Sequence, residues 1–125
     1  MNKIVQIKIF NDILDQLFDF LEHNFPYFKS DIMLTRSTTE FIRNSNPRMV
    51  VEKFMNYAIP YKQQIFDCDE DFFINFEKNI SMKSDNILYG MKLKNVWQSP
   101  ETSDHQKAHI WLYFQKLVKA GEKVM

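Results

Sequence analysis

A chain of 125 residues fits one domain and is long enough to bury a core without disulfide or metal staples. Its composition is 45% hydrophobic with 12 Phe but only 2 Gly and 4 Pro, which argues against a sandwich or barrel built on many tight turns. The 16 basic and 16 acidic residues cancel, so no global field draws the chain to nucleic acid or anionic lipid, and only a local patch is left for such contacts.

Cys68 is the one cysteine, which excludes an internal disulfide and suits a reducing compartment. No apolar run approaches the ~20 residues that cross a bilayer. The opening "MNKIVQIKIFND" lacks the apolar stretch and cleavage site of a signal peptide. A soluble, intracellular protein with no membrane contact is expected.

In chain order, Phe10, Ile13, Leu14, Leu17, Phe18 and Leu21 recur at helical spacing, with Asp12, Asp15, Asp19 and His23 on the other side. The spacing predicts an amphipathic helix from about Ile4 until Pro26 ends the segment. Val5, Ile7 and Ile9 alternate with polar residues, which keeps a short strand over 4–9 as the alternative. A second helix is expected from a Ser30 cap toward Asn44, with Phe41 and Ile42 as its core contacts, although "TRSTTE" has poor helix propensity. Asn46 is a good N-cap and Pro47 suits the first helical position, so a third helix begins there, with Val50, Phe54, Tyr57, Ala58 and Tyr61 on one face.

Pro60 removes a backbone donor and clashes one turn back, so this helix must kink or restart. The apolar phase carries through to Tyr61 and Ile65, as two pieces wrapping one core would require. Residues 84–97, "SDNILYGMKLKNVW", allow two readings: a helix apolar on two sides, central to a bundle, or a strand alternating at Ile87, Tyr89, Met91 and Leu93. Ser103 with Gln106 makes a capping box for the last helix, Ile110, Phe114, Leu117 and Val118 follow at core spacing, and Gly121 is the expected stop.

Little in the chain promises reaction chemistry. Asp67, Asp69 and Asp71 mimic the first positions of a calcium loop, but Phe72 stands where glycine is needed and Lys78 where a bidentate glutamate is needed. These acids are read instead as the charged start of a short helix bearing Phe72, Phe73 and Phe76. His105 and His109 lie one turn apart, yet zinc needs three or four ligands and no second cluster exists, so both are expected to be solvated. Trp97, Trp111 and Tyr113 are assigned to core packing rather than to stacking on bases. No catalytic residue, cofactor or metal is assigned. The outer face of the last helix carries His105, His109, Lys116, Lys119 and Lys123 with Leu112 at its centre, which suits a partner helix or an acidic peptide.

"NPR" at 46–48, "PYKQQI" at 60–65, "DEDFF" at 69–73 and "IWLYFQKLVKAGEK" at 110–123, taken together, resemble a family of small proteins of nucleocytoplasmic large DNA viruses, the mimivirus-like and algal giant viruses. The likeness spans Asn46 to Lys123, and "INFEKNI" departs from the more acidic continuation of that family. It implies an intracellular viral protein and brings no activity or functional residue with it.

The expected architecture is all-α: a compact single-domain bundle of about five helices over residues 1–125, one of them broken at Pro60. The expected role is a non-enzymatic protein–protein interaction module of a large DNA virus, with a viral or host protein as partner. The alternative is a nucleic-acid-associated viral factor using the basic face of the last helix. Its place would be the cytoplasm or viral replication compartment of the infected cell, or the virion. The candidate surface comprises His109, Leu112, Lys116, Lys119 and Lys123 on the last helix, with Asp69, Glu70 and Asp71 of the acidic segment.

Overall fold

The computed structural model describes residues 2–75 and 91–125, and among them there is no strand. Helix α1, Lys3–Asn24, starts where Asn2 accepts the Ile4 N–H at 2.7 Å. Residues 4–9 are therefore helical. Ile7 packs against the core while Val5 and Ile9 stay exposed, so the strand-like alternation is helical sampling of two faces.

A 3-10 turn at Pro26–Phe28 leads into α2, Lys29–Ser45. This corrects the Ser30 cap: the cap position falls two residues earlier, at Phe28, with no side-chain cap. Thr35, Thr38 and Thr39 satisfy their hydroxyls on the carbonyls one turn back, at 3.0, 3.1 and 2.9 Å, which lets "TRSTTE" sit inside a helix. Asn46 caps α3, Pro47–Ala58, by accepting the Arg48 N–H at 3.1 Å. At Pro60 the α-helix gives way to a 3-10 turn, Ile59–Tyr61, and resumes as α4, Lys62–Phe66. The missing donor of Pro60 is absorbed in this tighter turn, and Tyr57, Tyr61 and Ile65 still face one core.

Two short helices follow, α5 at Asp71–Ile74 and α6 at Leu93–Gln98. Phe76, Ile87, Leu88 and Tyr89 lie outside the described residues, so the choice between helix and strand is answered only for 93–98, which is helical. Last comes α7, Asp104–Val124, opened by the reciprocal Ser103–Gln106 box at 3.1 and 2.9 Å.

Helix α1 is central, with α7, α2 and α3 packed on it. Phe10, Leu14, Leu17, Phe18 and Leu21 from α1 meet Phe54 of α3 and Ile110, Phe114, Leu117 and Val118 of α7, all fully buried or nearly so. Each such side chain stabilises the fold by about 1.5–3 kcal/mol on burial. Phe10 meets Phe54 edge-on at 5.4 Å, and Phe54 lies 5.9 Å from Phe114.

Gly121 does not stop α7, which runs on to Val124. The glycine is buried where α7 crosses α3: a Cβ there would overlap Met55 Sδ and sit 2.7 Å from Met55 Cγ. Close helix approach, not chain termination, explains it.

Polar contacts fix α2 in an unexpected phase. Arg43 donates from Nε to Asn11 Oδ1 at 2.8 Å and forks onto Asp15 at 3.0 and 3.1 Å. Arg36 reaches Asp19 at 2.7 Å and Glu22 at 2.6 Å. Burial disfavours the Arg36 charge, but the hydrogen bonds and charges of Asp19 and Glu22 outweigh it and hold the guanidinium above its ordinary pKa. With both arginines drawn to α1, Ile32 and Thr39 point inward, and Phe41 is turned out to 75% exposure. The assignment of Phe41 to the core is thereby overturned, while Ile42 does pack against it.

Candidate functional site

The acidic segment is shaped by the way α4 ends. Asp69 donates its N–H to Gln64 O at 2.9 Å and Cys68 donates to Ile65 O at 3.3 Å, with Cys68 in the left-handed region at φ 55°. This is a Schellman stop with cysteine in the position glycine usually takes. It turns the chain so that Asp69 Oδ1 accepts the Asp71 N–H at 3.0 Å and Phe72 and Phe73 plunge into the core. Asp69 thus starts the next helix, and Asp69, Glu70 and Asp71 all remain exposed. From α7, Gln115 Nε2 donates to Ile65 O at 3.1 Å and lies 3.5 Å from Cys68 Sγ, which clamps the turn to the last helix.

Between this turn and α7 lies an open groove of about 510 Å³. Trp97 and Trp111, both largely buried, form its apolar floor. They meet edge-on at 5.2 Å, and Phe73 packs beneath at 4.5 Å from Trp97 and 4.6 Å from Trp111. All three rings are engaged in packing. Across the groove Lys107 Nζ stands 3.6 Å from Glu70 Oε1 and 5.4 Å from the Trp97 ring, held by both charge and π-face. Leu112 lines the same groove and is 48% exposed.

Two surfaces that sequence treats as separate are therefore brought together, since Glu70 and Leu112 share one groove. Lys107 was missed by the sequence reading. Its only signal was its place one turn after the Ser103 cap and one turn before Trp111.

The rest of the α7 stripe is less uniform than its sequence. Lys116, Lys119 and Lys123 are exposed, and the Lys119 ammonium lies 5.7 Å over the Phe66 ring. His109 departs from the solvated stripe: it is half-buried and stacks on Phe20 of α1 at 5.4 Å and 16°. The reason is tertiary, because α1 and α7 lie against each other and Phe20 falls beside that turn. His105 stays exposed, with its Nε2 3.2 Å from that of His109, so one ring donates to the other. No group of three His, Cys, Asp or Glu able to hold a metal ion occurs among the described residues.

A second cleft, of about 380 Å³, lies between the Pro26 turn and the start of α7, and Gln106 Nε2 contacts Asn24 Oδ1 across it at 3.4 Å. No helix among the described residues is long and apolar enough to cross a membrane. Compared with known proteins, the chain matches no family model, no curated protein and no solved structure.

Proposed function

We propose that this chain is a non-enzymatic protein–protein interaction module of a large DNA virus, working in the infected cell through the groove between the acidic turn and α7. The observation that carries this is the groove itself: an aromatic floor, an exposed Leu112 on its rim and charges of both signs around it. Such a surface suits an apolar anchor from a partner, flanked by groups that match the charges of Glu70, Asp104 and Lys107 in its lining. Lys107 and Glu70 already answer one another, which leaves them as orienting rim charges. The viral setting rests on the resemblance carried by the four sequence segments.

Exposed Lys116, Lys119 and Lys123 favour a second reading, contact with nucleic acid along α7. Leu112 interrupts that stripe, and Glu122 beside Lys123 pairs with Lys62 at 2.7 Å, so the basic field is local. The two readings separate in one experiment: affinity capture from infected cells with wild type and Leu112→Asp as baits, each with and without nuclease. A protein retained by wild type after nuclease and lost with Leu112→Asp is the expected result. Capture abolished by nuclease, or falling steeply with salt, refutes the protein-partner reading and favours nucleic acid.

A further inference from the structure

Lys107 sits in the groove as a ligand would. From near the start of α7 its ammonium lies 5.4 Å over the Trp97 ring and 3.6 Å from Glu70 Oε1. An aromatic face beside a carboxylate attracts a cation by its quadrupole and by its charge. The chain's own ammonium fills that seat poorly. A charge-assisted hydrogen bond is about 2.7–2.9 Å long, and at 3.6 Å the pair falls short of one. Its side chains are 23% and 55% exposed, so solvent screening leaves it weak. Asp104 lines the same groove, exposed and with no ion-pair partner among the described residues. Two carboxylates in the lining therefore face one ammonium. Asp67, Asp69 and Asp71, exposed on the adjoining turn, add to the negative side, whereas Lys116, Lys119 and Lys123 lie outside the lining.

We propose that the groove receives a basic side chain of its protein partner, arginine before lysine, which displaces Lys107 from the Trp97 face and pairs with Glu70 and Asp104. Lys107 is the internal stand-in for that side chain. The assignment rests on the groove being a protein-docking surface and adds what that surface selects. Charge chooses the occupant: an acidic segment or a phosphate would meet an excess of carboxylates, and a cation completes them. Arginine outranks lysine because its planar guanidinium stacks on an indole and presents paired donors to a carboxylate, where an ammonium offers only a point charge. Leu112, exposed in the same lining, takes an apolar neighbour of that arginine. Trp97 is only 4% exposed with Lys107 over it, so a second cation reaches the ring only when Lys107 leaves. Lys107 therefore competes with the ligand, while Glu70 on the same pair attracts it. Removing the two must act in opposite directions, whereas a clip that merely builds the groove would lose binding at either end.

The probe is the blocked dipeptide acetyl-Leu-Arg-amide, titrated into the nitrogen-labelled full chain and followed on the indole N–H signals of Trp97 and Trp111. Saturable shifts at about 1 mM are expected, with acetyl-Leu-Lys-amide weaker and acetyl-Leu-Glu-amide silent. Lys107→Ala should tighten the arginine dipeptide about threefold or more, and Glu70→Gln should weaken it about fivefold or more. Binding of the glutamate dipeptide as well as the arginine one overturns the proposal. So does the absence of any shift up to about 10 mM, or a Lys107→Ala variant that loses binding as Glu70→Gln does. Should Lys107→Ala fail to fold, Lys107→Met, which keeps the apolar stem without the charge, takes its place with the same expected sign. Capture with Leu112→Asp reads whether a protein uses the groove, and this titration reads which side chain the groove selects, so either can fail alone. Capture of a protein that survives nuclease, together with silence toward the arginine dipeptide, would leave the docking surface standing and refute its selection of a cation.

Discussion

Gly121→Ala is the sharpest test of how the bundle packs. In isolation the change should stabilise, because alanine is preferred over glycine inside a helix by about 0.8–1.0 kcal/mol. Here the added methyl would overlap Met55 Sδ and lie 2.7 Å from Met55 Cγ and 3.1 Å from Cε, where carbon atoms in contact want about 3.5–4.0 Å. Met55 is fully buried, so its flexible side chain must change rotamer within a packed core. Overpacking of this kind costs about 1–3 kcal/mol. Net destabilisation of about 1 kcal/mol is expected, a fall in Tm of roughly 3–5 °C for a chain of this size. Met55→Ala removes the obstacle and itself costs about 2–5 kcal/mol. In that background Gly121→Ala should recover the helix-propensity gain and stabilise by about 1 kcal/mol. Urea unfolding of the four proteins then gives a coupling of about 2 kcal/mol. If Gly121→Ala stabilises both backgrounds equally, α7 does not approach α3 this closely and the packing described here is wrong.

Three further outcomes are expected. Leu112→Asp should change stability by about 0.5 kcal/mol or less, whereas Phe114→Asp, which buries an unpaired carboxylate, should cost several kcal/mol at order of magnitude. Equal loss by urea unfolding would show that the helical phase of α7 is misplaced. Cys68→Gly should stabilise by about 1 kcal/mol by relieving the left-handed backbone at φ 55°, and a stability loss in the same assay would contradict the Schellman geometry. Burial, with the charge of Tyr61, pushes the Tyr57 phenol pKa up. A raised folded pKa means stability fully present below the unfolded value near pH 10 and lost as pH rises through the folded value. The urea midpoint of wild type should therefore fall above about pH 10 by more than that of Tyr57→Phe, and parallel curves would refute the assignment.

Local chemistry was legible in the sequence. Asn46–Pro47, the Ser103–Gln106 box and the break at Pro60 depend on residues within one turn of each other, so they act the same way in any surroundings. The 3.6-residue periods of α1 and α7 likewise name Phe10, Leu14, Phe18, Phe114 and Leu117 as core, because a long amphipathic stripe admits one inward face. The all-α class follows from these elements together. Tertiary structure decided what neighbours decide. Phe41 was assigned inward by its hydrophobicity, yet the pull of Asp15, Asp19 and Glu22 on Arg43 and Arg36 rotates α2 and puts it outside. Gly121 looked like a helix stop, and only the presence of Met55 across the crossing shows why a side chain is absent there. His109 belonged to a solvated stripe until Phe20, far away in the chain, stacked on it. Glu70 and Leu112 became one groove because Gln115 and Lys107 hold the acidic turn against α7. Each of these hinges on a partner distant in sequence, and no local pattern encodes which residue will arrive.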